Sequence, residues 1–154
     1  MTVMQKQIEH IPAYRIAYIR QTGPYGEDNN KIMEKLKTWA KANNLLDENS
    51  IILGIAQDNP QNTKPENCRY DTCLVISNDY SVNDDNVRQG NLLGGKYLVF
   101  TIEHTAEAVQ KAWAKIFSEL NNCDYKLDNT RPILERYKLE LVSRHFCEIC
   151  VPIR

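Results

Sequence analysis

Residues 31–40 read Lys-Ile-Met-Glu-Lys-Leu-Lys-Thr-Trp-Ala. Ile32, Met33, Leu36, Trp39 and Ala40 recur at i, i+1, i+4, i+7 and i+8, the spacing that lines one face of an α-helix. Lysines and Glu34 occupy the opposite face, and Asn43-Asn44 is the expected stop. A second stripe runs through Val109, Ala112, Trp113, Ile116, Phe117 and Leu120, with Thr105 placed as its N-cap. The two stripes are copies in register. Ile32 and Val109, Leu36 and Trp113, and Ala40 and Phe117 all lie the same 77 residues apart, as do Cys73 and Cys150, and Ile76 and Ile153. A separation held over helices and strands alike is the mark of an internal duplication.

Working outward, each helix has strand patterns around it. Met4 to His10 and Tyr14 to Gln21 precede the first helix, as two strands or as one element bent at Pro12. The Gly- and Pro-rich Thr22 to Gly26 is a turn. Ile51 to Gln57 and Arg69 to Ser77 follow, separated by a polar Asn- and Pro-rich loop. Asn78 to Gln89 reads as a loop between halves. The second half runs Lys96 to Glu103, the second helix, Pro132 to Leu141, and Phe146 to Ile153. The expected fold is α+β: two strand-helix-strand-strand repeats, approximately residues 1–78 and 90–154 of a single domain over 1–154, related by a pseudo-two-fold axis. Two amphipathic helices should bury their stripes on one face of an antiparallel sheet, which leaves the opposite face for a ligand cleft.

Composition narrows the function. The chain carries 19 basic and 20 acidic residues for a net charge of -1, with the signs interspersed. The basic footprint of a nucleic-acid-binding domain is missing, so any effect on DNA is expected to pass through a protein partner. No apolar run approaches the roughly 18 residues that span a bilayer, and Met1 to His10 lacks the pattern of a secretory signal; the expectation is a cytoplasmic protein with no membrane contact. Five cysteines, an odd number, argue against a disulfide framework. Cys147 and Cys150 have the C-x-x-C spacing, but on a strand residues three apart point to opposite faces, and no second pair completes a four-ligand site. Neither a metal nor another cofactor is expected. His10, His104 and His145 are scattered surface or turn residues. With no Ser-His-Asp or Cys-His pattern, no catalytic residue is assigned, and binding is favoured over catalysis.

The informative residue is Glu135. In Pro132 to Leu141, alternation puts Ile133, Glu135, Tyr137, Leu139 and Leu141 on one face, and Leu134, Arg136, Lys138 and Glu140 on the other, expected to be solvated. A carboxylate on an apolar face is costly to bury unpaired. It can pair with a basic residue, take up a proton at raised pKa, or line a cleft that a ligand completes. Tyr14 and Tyr18, on one face of their strand, and Tyr97, which begins the equivalent strand of the second half, are candidate walls for such a cleft. A carboxylate ringed by aromatics suits a cationic or aromatic ligand. The expected ligand-binding set is therefore Glu135, Tyr137, Tyr14, Tyr18 and Tyr97.

Three segments carry a resemblance to a known family. They are Asp58-Asn59-Pro60 with Thr63, Pro65 and Arg69-Tyr70-Asp71-Thr72; the Pro-x-x-Glu-x-Tyr pattern of Pro132 to Tyr137; and Glu148 to Ile153. With the Trp39 helix and Gly94-Gly95-Lys96-Tyr97, they resemble, in order and over nearly the whole chain, the GyrI-like small-molecule-binding proteins. These include DNA gyrase inhibitor proteins and the effector-binding domains of AraC-type and MerR-type transcription regulators. The resemblance implies a duplicated fold with a cleft between repeats, in which the glutamate of the Pro-x-x-Glu-x-Tyr strand, here Glu135, contacts cationic drugs. The Asp71 segment is a signature of that family, and its expected role is structural. The resemblance also offers DNA gyrase as a partner for inhibition, and, from one branch, hydrolysis of reactive electrophilic drugs. That last activity needs a second cleft acid, for which Glu103 and Glu148 are the candidates by their position on strands.

Overall fold

The computed structural model describes residues 5–121 and 125–154, without the side chains of Glu27, Phe117 and Asn121. Met4, Cys123 and the Phe117 position of the second stripe lie outside this description. Eight strands are present: β1 Gln5–Ile11, β2 Tyr14–Thr22, β3 Ile51–Ala56, β4 Arg69–Ile76, β5 Arg88–Leu92, β6 Gly95–Glu103, β7 Leu134–Lys138 and β8 Phe146–Pro152. Helix α1 spans Glu27–Ala42, α2 spans Ala106–Asn121, and a four-residue α3, Leu139–Val142, follows β7. Thr105 caps α2 as expected, its Oγ1 accepting from the Ala108 N–H at 3.0 Å. Beyond the end of α1, Asn44 takes a left-handed conformation, φ 57°, which Asn tolerates. None of the described helices is long and apolar enough to cross a membrane.

All eight strands form one sheet in the order β1-β6-β8-β7-β3-β4-β2-β5, with antiparallel pairing throughout. The order is symmetric about the β7–β3 junction: β1 corresponds to β5, β6 to β2, β8 to β4, and β7 to β3. Each half lends its first strand to the other half's edge. The β5 strand was expected to fall partly in a loop. Its sequence, Arg-Gln-Gly-Asn-Leu, has no apolar alternation because it is an edge strand held by backbone pairing to β2.

Two short connectors decide the shape. β1 and β2 lie six strand spacings apart in the order, roughly 29 Å in a flat sheet. Yet only Pro12 and Ala13 join them, and three Cα steps reach at most about 11 Å. The Leu93-Gly94 link between β5 and β6 imposes the same demand. The sheet must curl until its ends meet. The connectors touch where they cross: a Cβ on Gly94 would fall 2.5 Å from the Ala13 nitrogen and 2.6 Å from the Ile11 carbonyl oxygen.

The curl seals one face without any helix. Ile16, Leu53, Cys73, Tyr97, Val99, Leu134 and Cys150 form its core. Arg136 faces the same interior and is 1% exposed. It makes paired hydrogen bonds to Glu148, 2.9 Å each, and to Glu9 at 2.8 and 3.0 Å. The strand face expected to be solvated is therefore an inner one, and its partners come from β8, 12 residues on, and from β1, 127 residues back. The helices cover the outer face. Leu36 and Ala40 of α1 pack on Ala17, Ile52 and Leu74; Ala112 and Ile116 of α2 pack on Leu98, Phe100, Ile149 and Val151. Each large buried apolar side chain contributes about 1.5–3 kcal/mol. Cys147 belongs to this outer core and Cys150 to the inner one, so their sulfurs lie on opposite sides of β8. Burial pushes both thiols up to about 12.

Removing one partner from a buried ion pair strands the other charge. Arg136→Met should lower stability by about 3–5 kcal/mol in urea denaturation, whereas Arg136→Met combined with Glu148→Leu should recover a large part of that loss. Hydrogen bonding to Arg136 also holds the Glu9 carboxyl below its ordinary value. Its share of stability is present above the ordinary carboxylate range and is lost as the pH falls through the lowered value.

Candidate functional site

The helices sit over the two flanks of the sheet, α1 on β2 and β4 and α2 on β6. The central strands β7 and β3 are left with a cleft of about 420 Å³ between the first turns of the helices. Gly26, Asn29, Asn30 and Met33 form one side, and Thr105, Ala106, Val109 and Gln110 the other. Tyr70, His104, Glu135 and Tyr137 complete the lining. The cleft thus shares the helix-bearing face, where the opposite face was expected. The physical reason is the curl, which fills that opposite face with side chains.

Glu135 reaches this surface because strand alternation sets it against its neighbours Leu134 and Arg136, which point inward. It pairs across the β7–β3 junction with Gly54. The Tyr70 hydroxyl donates to Glu135 Oε1 at 3.1 Å, and the Tyr137 hydroxyl to Oε2 at 2.9 Å. No basic side chain among the described residues forms an ion pair with this carboxylate. Burial pushes its pKa up, opposed by the two tyrosine hydrogen bonds. Both hydroxyls are themselves driven far above the ordinary tyrosine value, chiefly by burial and then by the adjacent Glu135 charge, so they remain donors. Helix starts carry partial positive charge, and the two at the rim favour the ionised acid. His104, whose ring lies 5.5 Å from that of Tyr137, has its pKa lowered by burial, then by Lys37 and His145. It supplies no permanent counter-charge.

Gly54 makes this arrangement possible. A Cβ there would fall 2.0 Å from the Tyr70 hydroxyl oxygen and 3.5 Å from Glu135 Oε1. Tyr70 crosses the space that any other residue would fill. A lone glycine inside an apolar strand marks such a close approach, and Gly54 within Ile51–Ala56 was the available sign of it. Tyr70 itself stood in a segment valued for Asp71. Asp71 is held by paired hydrogen bonds from Arg20 at 2.7 and 2.9 Å, and Asp58 grips Arg69 in the same way at 3.0 and 2.9 Å. These anchors position Tyr70 between them.

Of the expected binding residues, Glu135 and Tyr137 meet in the cleft. Tyr14, Tyr18 and Tyr97 do not: they pack on the inner face. The protein supplies cations to two of these rings, Arg131 over Tyr97 at 4.7 Å and Arg20 over Tyr18 at 5.9 Å. Equivalence by repeat identified strands correctly but not the face each tyrosine takes. Neither candidate second acid joins Glu135. Glu148 is inside with Arg136, and Glu103 is exposed at the end of β6. Among the described residues Glu135 is the one carboxylate lining the cleft, and no group of three or more His, Cys, Asp or Glu side chains is placed to hold a metal.

The chain matches the family model of the GyrI-like small molecule binding domain over residues 4–154. It is 44% identical over 152 residues, 98% of this chain and 100% of the other, to YosT of Bacillus subtilis, an SPbeta prophage-derived protein that carries a transcriptional-regulator name. A DNA gyrase inhibitor of Edwardsiella ictaluri is 26% identical over 87% of this chain and 86% of its own length. The C-terminal domain of EcmrR superposes with a TM-score of 0.77 at 17% identity, covering 99% of this chain and 98% of that one. SAV2435, solved bound to tetraphenylphosphonium, superposes with a TM-score of 0.58 at 13% identity, covering 97% and 94%.

Gly54→Ala should displace the Tyr70 hydroxyl. Overpacking of this kind costs about 1–3 kcal/mol, measurable by urea denaturation, and loss of one donor should raise the Glu135 pKa further in carboxyl-carbon NMR titration. Because the folded acid holds its proton more tightly than the unfolded one, it reduces stability as pH rises from the ordinary glutamate value through the raised one. Glu135→Gln should flatten that loss and leave a protein more resistant to urea at neutral pH.

Proposed function

The chain belongs to the GyrI-like small-molecule-binding family, and on that premise we propose that it binds a hydrophobic organic cation in the cleft between α1 and α2, with Glu135 as counter-charge. One observation carries the reading: a largely desolvated carboxylate whose described partners are two neutral hydroxyls. A buried charge without an opposite charge is costly, and a guest cation offsets that cost where water cannot. Tyr70 and Tyr137 hold the two oxygens in place before the ligand arrives, so little ordering remains for binding. Their rings, with Met33 and Val109, give the charged centre apolar and aromatic walls. The tetraphenylphosphonium bound by SAV2435 is a lipophilic cation of this class.

Tetraphenylphosphonium is accordingly the first probe. Titration calorimetry should show binding to the wild-type protein and a loss of about tenfold or more in Glu135→Gln, the order expected for one charged contact. Affinity should fall as the pH is lowered through the raised Glu135 pKa, because protonation removes the counter-charge, and this dependence should vanish in Glu135→Gln. Equal affinity of the two proteins would dispose of the carboxylate's role.

A second reading, inhibition of DNA gyrase by protein contact, draws support from the similarity to the Edwardsiella ictaluri inhibitor. Purified protein at high micromolar concentration should then slow gyrase supercoiling; unchanged supercoiling would rule it out. Hydrolysis gains no support from the cleft, which brings no second acid to Glu135 among the described residues.

A further inference from the structure

A second depression lies beside the Glu135 cleft on the same outer face. It is lined by Tyr25, Ala56, Asp58, Asn59, Pro60, Gln61, Trp113 and Ile133, and it is larger, about 760 Å³. Three adjacencies join the two. Ile133 immediately precedes β7 and lies two residues before Glu135, within about 7 Å along the chain. Val109 of the first cleft and Trp113 of the second are one turn apart on α2, about 6 Å. Gly26 of the first is followed back along the chain by Tyr25 of the second, whose ring stands edge-on to Tyr70 at 6.1 Å. Tyr25 and Tyr70 therefore stand between the cleft that holds Glu135 and the depression that holds Trp113.

The second depression has a built wall. The Asp58-Asn59-Pro60 segment, prominent in the sequence and outside the lining of the first cleft, forms it. Asp58 is tied to Arg69 at 2.9 Å. The Tyr25 hydroxyl donates to the Arg69 carbonyl at 2.7 Å and accepts from the Asp58 N–H at 3.2 Å. With its one carboxylate already paired, the depression offers indole, phenol, proline and isoleucine surface beside the neutral Asn59 and Gln61 amides. It suits an uncharged, flat apolar group.

We propose that the two depressions form one bipartite site, and that the ligand is an extended amphipathic cation whose positive group sits at Glu135 while an aromatic or alicyclic group at its other end packs against Trp113 and Pro60 in the second depression. This rests on the Glu135 reading and adds a length requirement that the reading lacks. A compact cation fills the first depression only. A longer one gains roughly fourfold in affinity for each methylene buried in the second.

The test compares tetramethylammonium, benzylammonium and phenylbutylammonium by titration calorimetry on wild type, Trp113→Ala, Ala56→Phe and Glu135→Gln, with circular dichroism as the check of folding. Ala56 is exposed at the end of β3, so Ala56→Phe fills the second depression without entering the core, even if Trp113→Ala disturbs α2. Wild type should bind phenylbutylammonium at least about tenfold more tightly than benzylammonium. Trp113→Ala and Ala56→Phe should each abolish that gain while leaving tetramethylammonium within about twofold. Glu135→Gln should weaken all three ligands. A gain that survives both substitutions at the second depression would overturn the bipartite site and leave the Glu135 reading standing. Failure of every ammonium to bind wild type would overturn that reading as well.

Discussion

Two connectors of two residues each, Pro12-Ala13 and Leu93-Gly94, join strands that lie near opposite ends of the same sheet. A chain that short cannot cross a flat sheet of eight strands. The sheet therefore closes on itself, and the close approach of Gly94 to Ile11 and Ala13 is where the closure is made. Everything else in the molecule follows from having an inside. The inner face needs no helix to bury it, so both helices are free to pack outside. Arg136 and Glu148 can be enclosed together because the curled sheet surrounds them, and the Glu9 carboxylate reaches them from an edge strand.

The closure also decides where a ligand could go. The interior is packed with Leu53, Cys73, Val99 and Cys150, all fully buried. The outer face is covered only over its flanks, since the repeat places one helix on each half. Between them lies the junction of β7 and β3, the symmetry centre of the sheet. One strand contributes Gly54 and the other Glu135 at the same paired position. Absence of a side chain on one strand lets Tyr70 lean across to the carboxylate of the other. Duplication supplied a symmetric groove, and the Glu135 carboxylate with the Tyr70 and Tyr137 hydroxyls made its floor polar.

The expected site residues divide along the same line. Glu135 and Tyr137 were legible because alternation along one strand is a local property. Tyr14, Tyr18 and Tyr97 also shared a face, yet the wrong one, because strand alternation says which residues are together and not which side of the sheet they take. Tyr70 and His104 were not found, since their place in the cleft depends on β4 and the β6–α2 turn arriving from distant parts of the chain. Arg136 was read as solvated for the same reason: a basic residue in a strand looks exposed until its acidic partners are brought to it by β8 and β1.

The amino-acid sequence alone determined the duplicated α+β plan, the two amphipathic helices and the Thr105 cap, and it singled out one carboxylate on an apolar strand face. These depend on periodicity and on contacts between near neighbours, which the order of residues records directly. Only the tertiary structure decided which face of the sheet became the interior, that β5 completes the second edge, that Glu135 receives two hydroxyls in place of a cation, and that its cleft opens between the helices. Those outcomes are set by long-range pairing and by the closure of the sheet, where residues scores of positions apart become neighbours at hydrogen-bond distance.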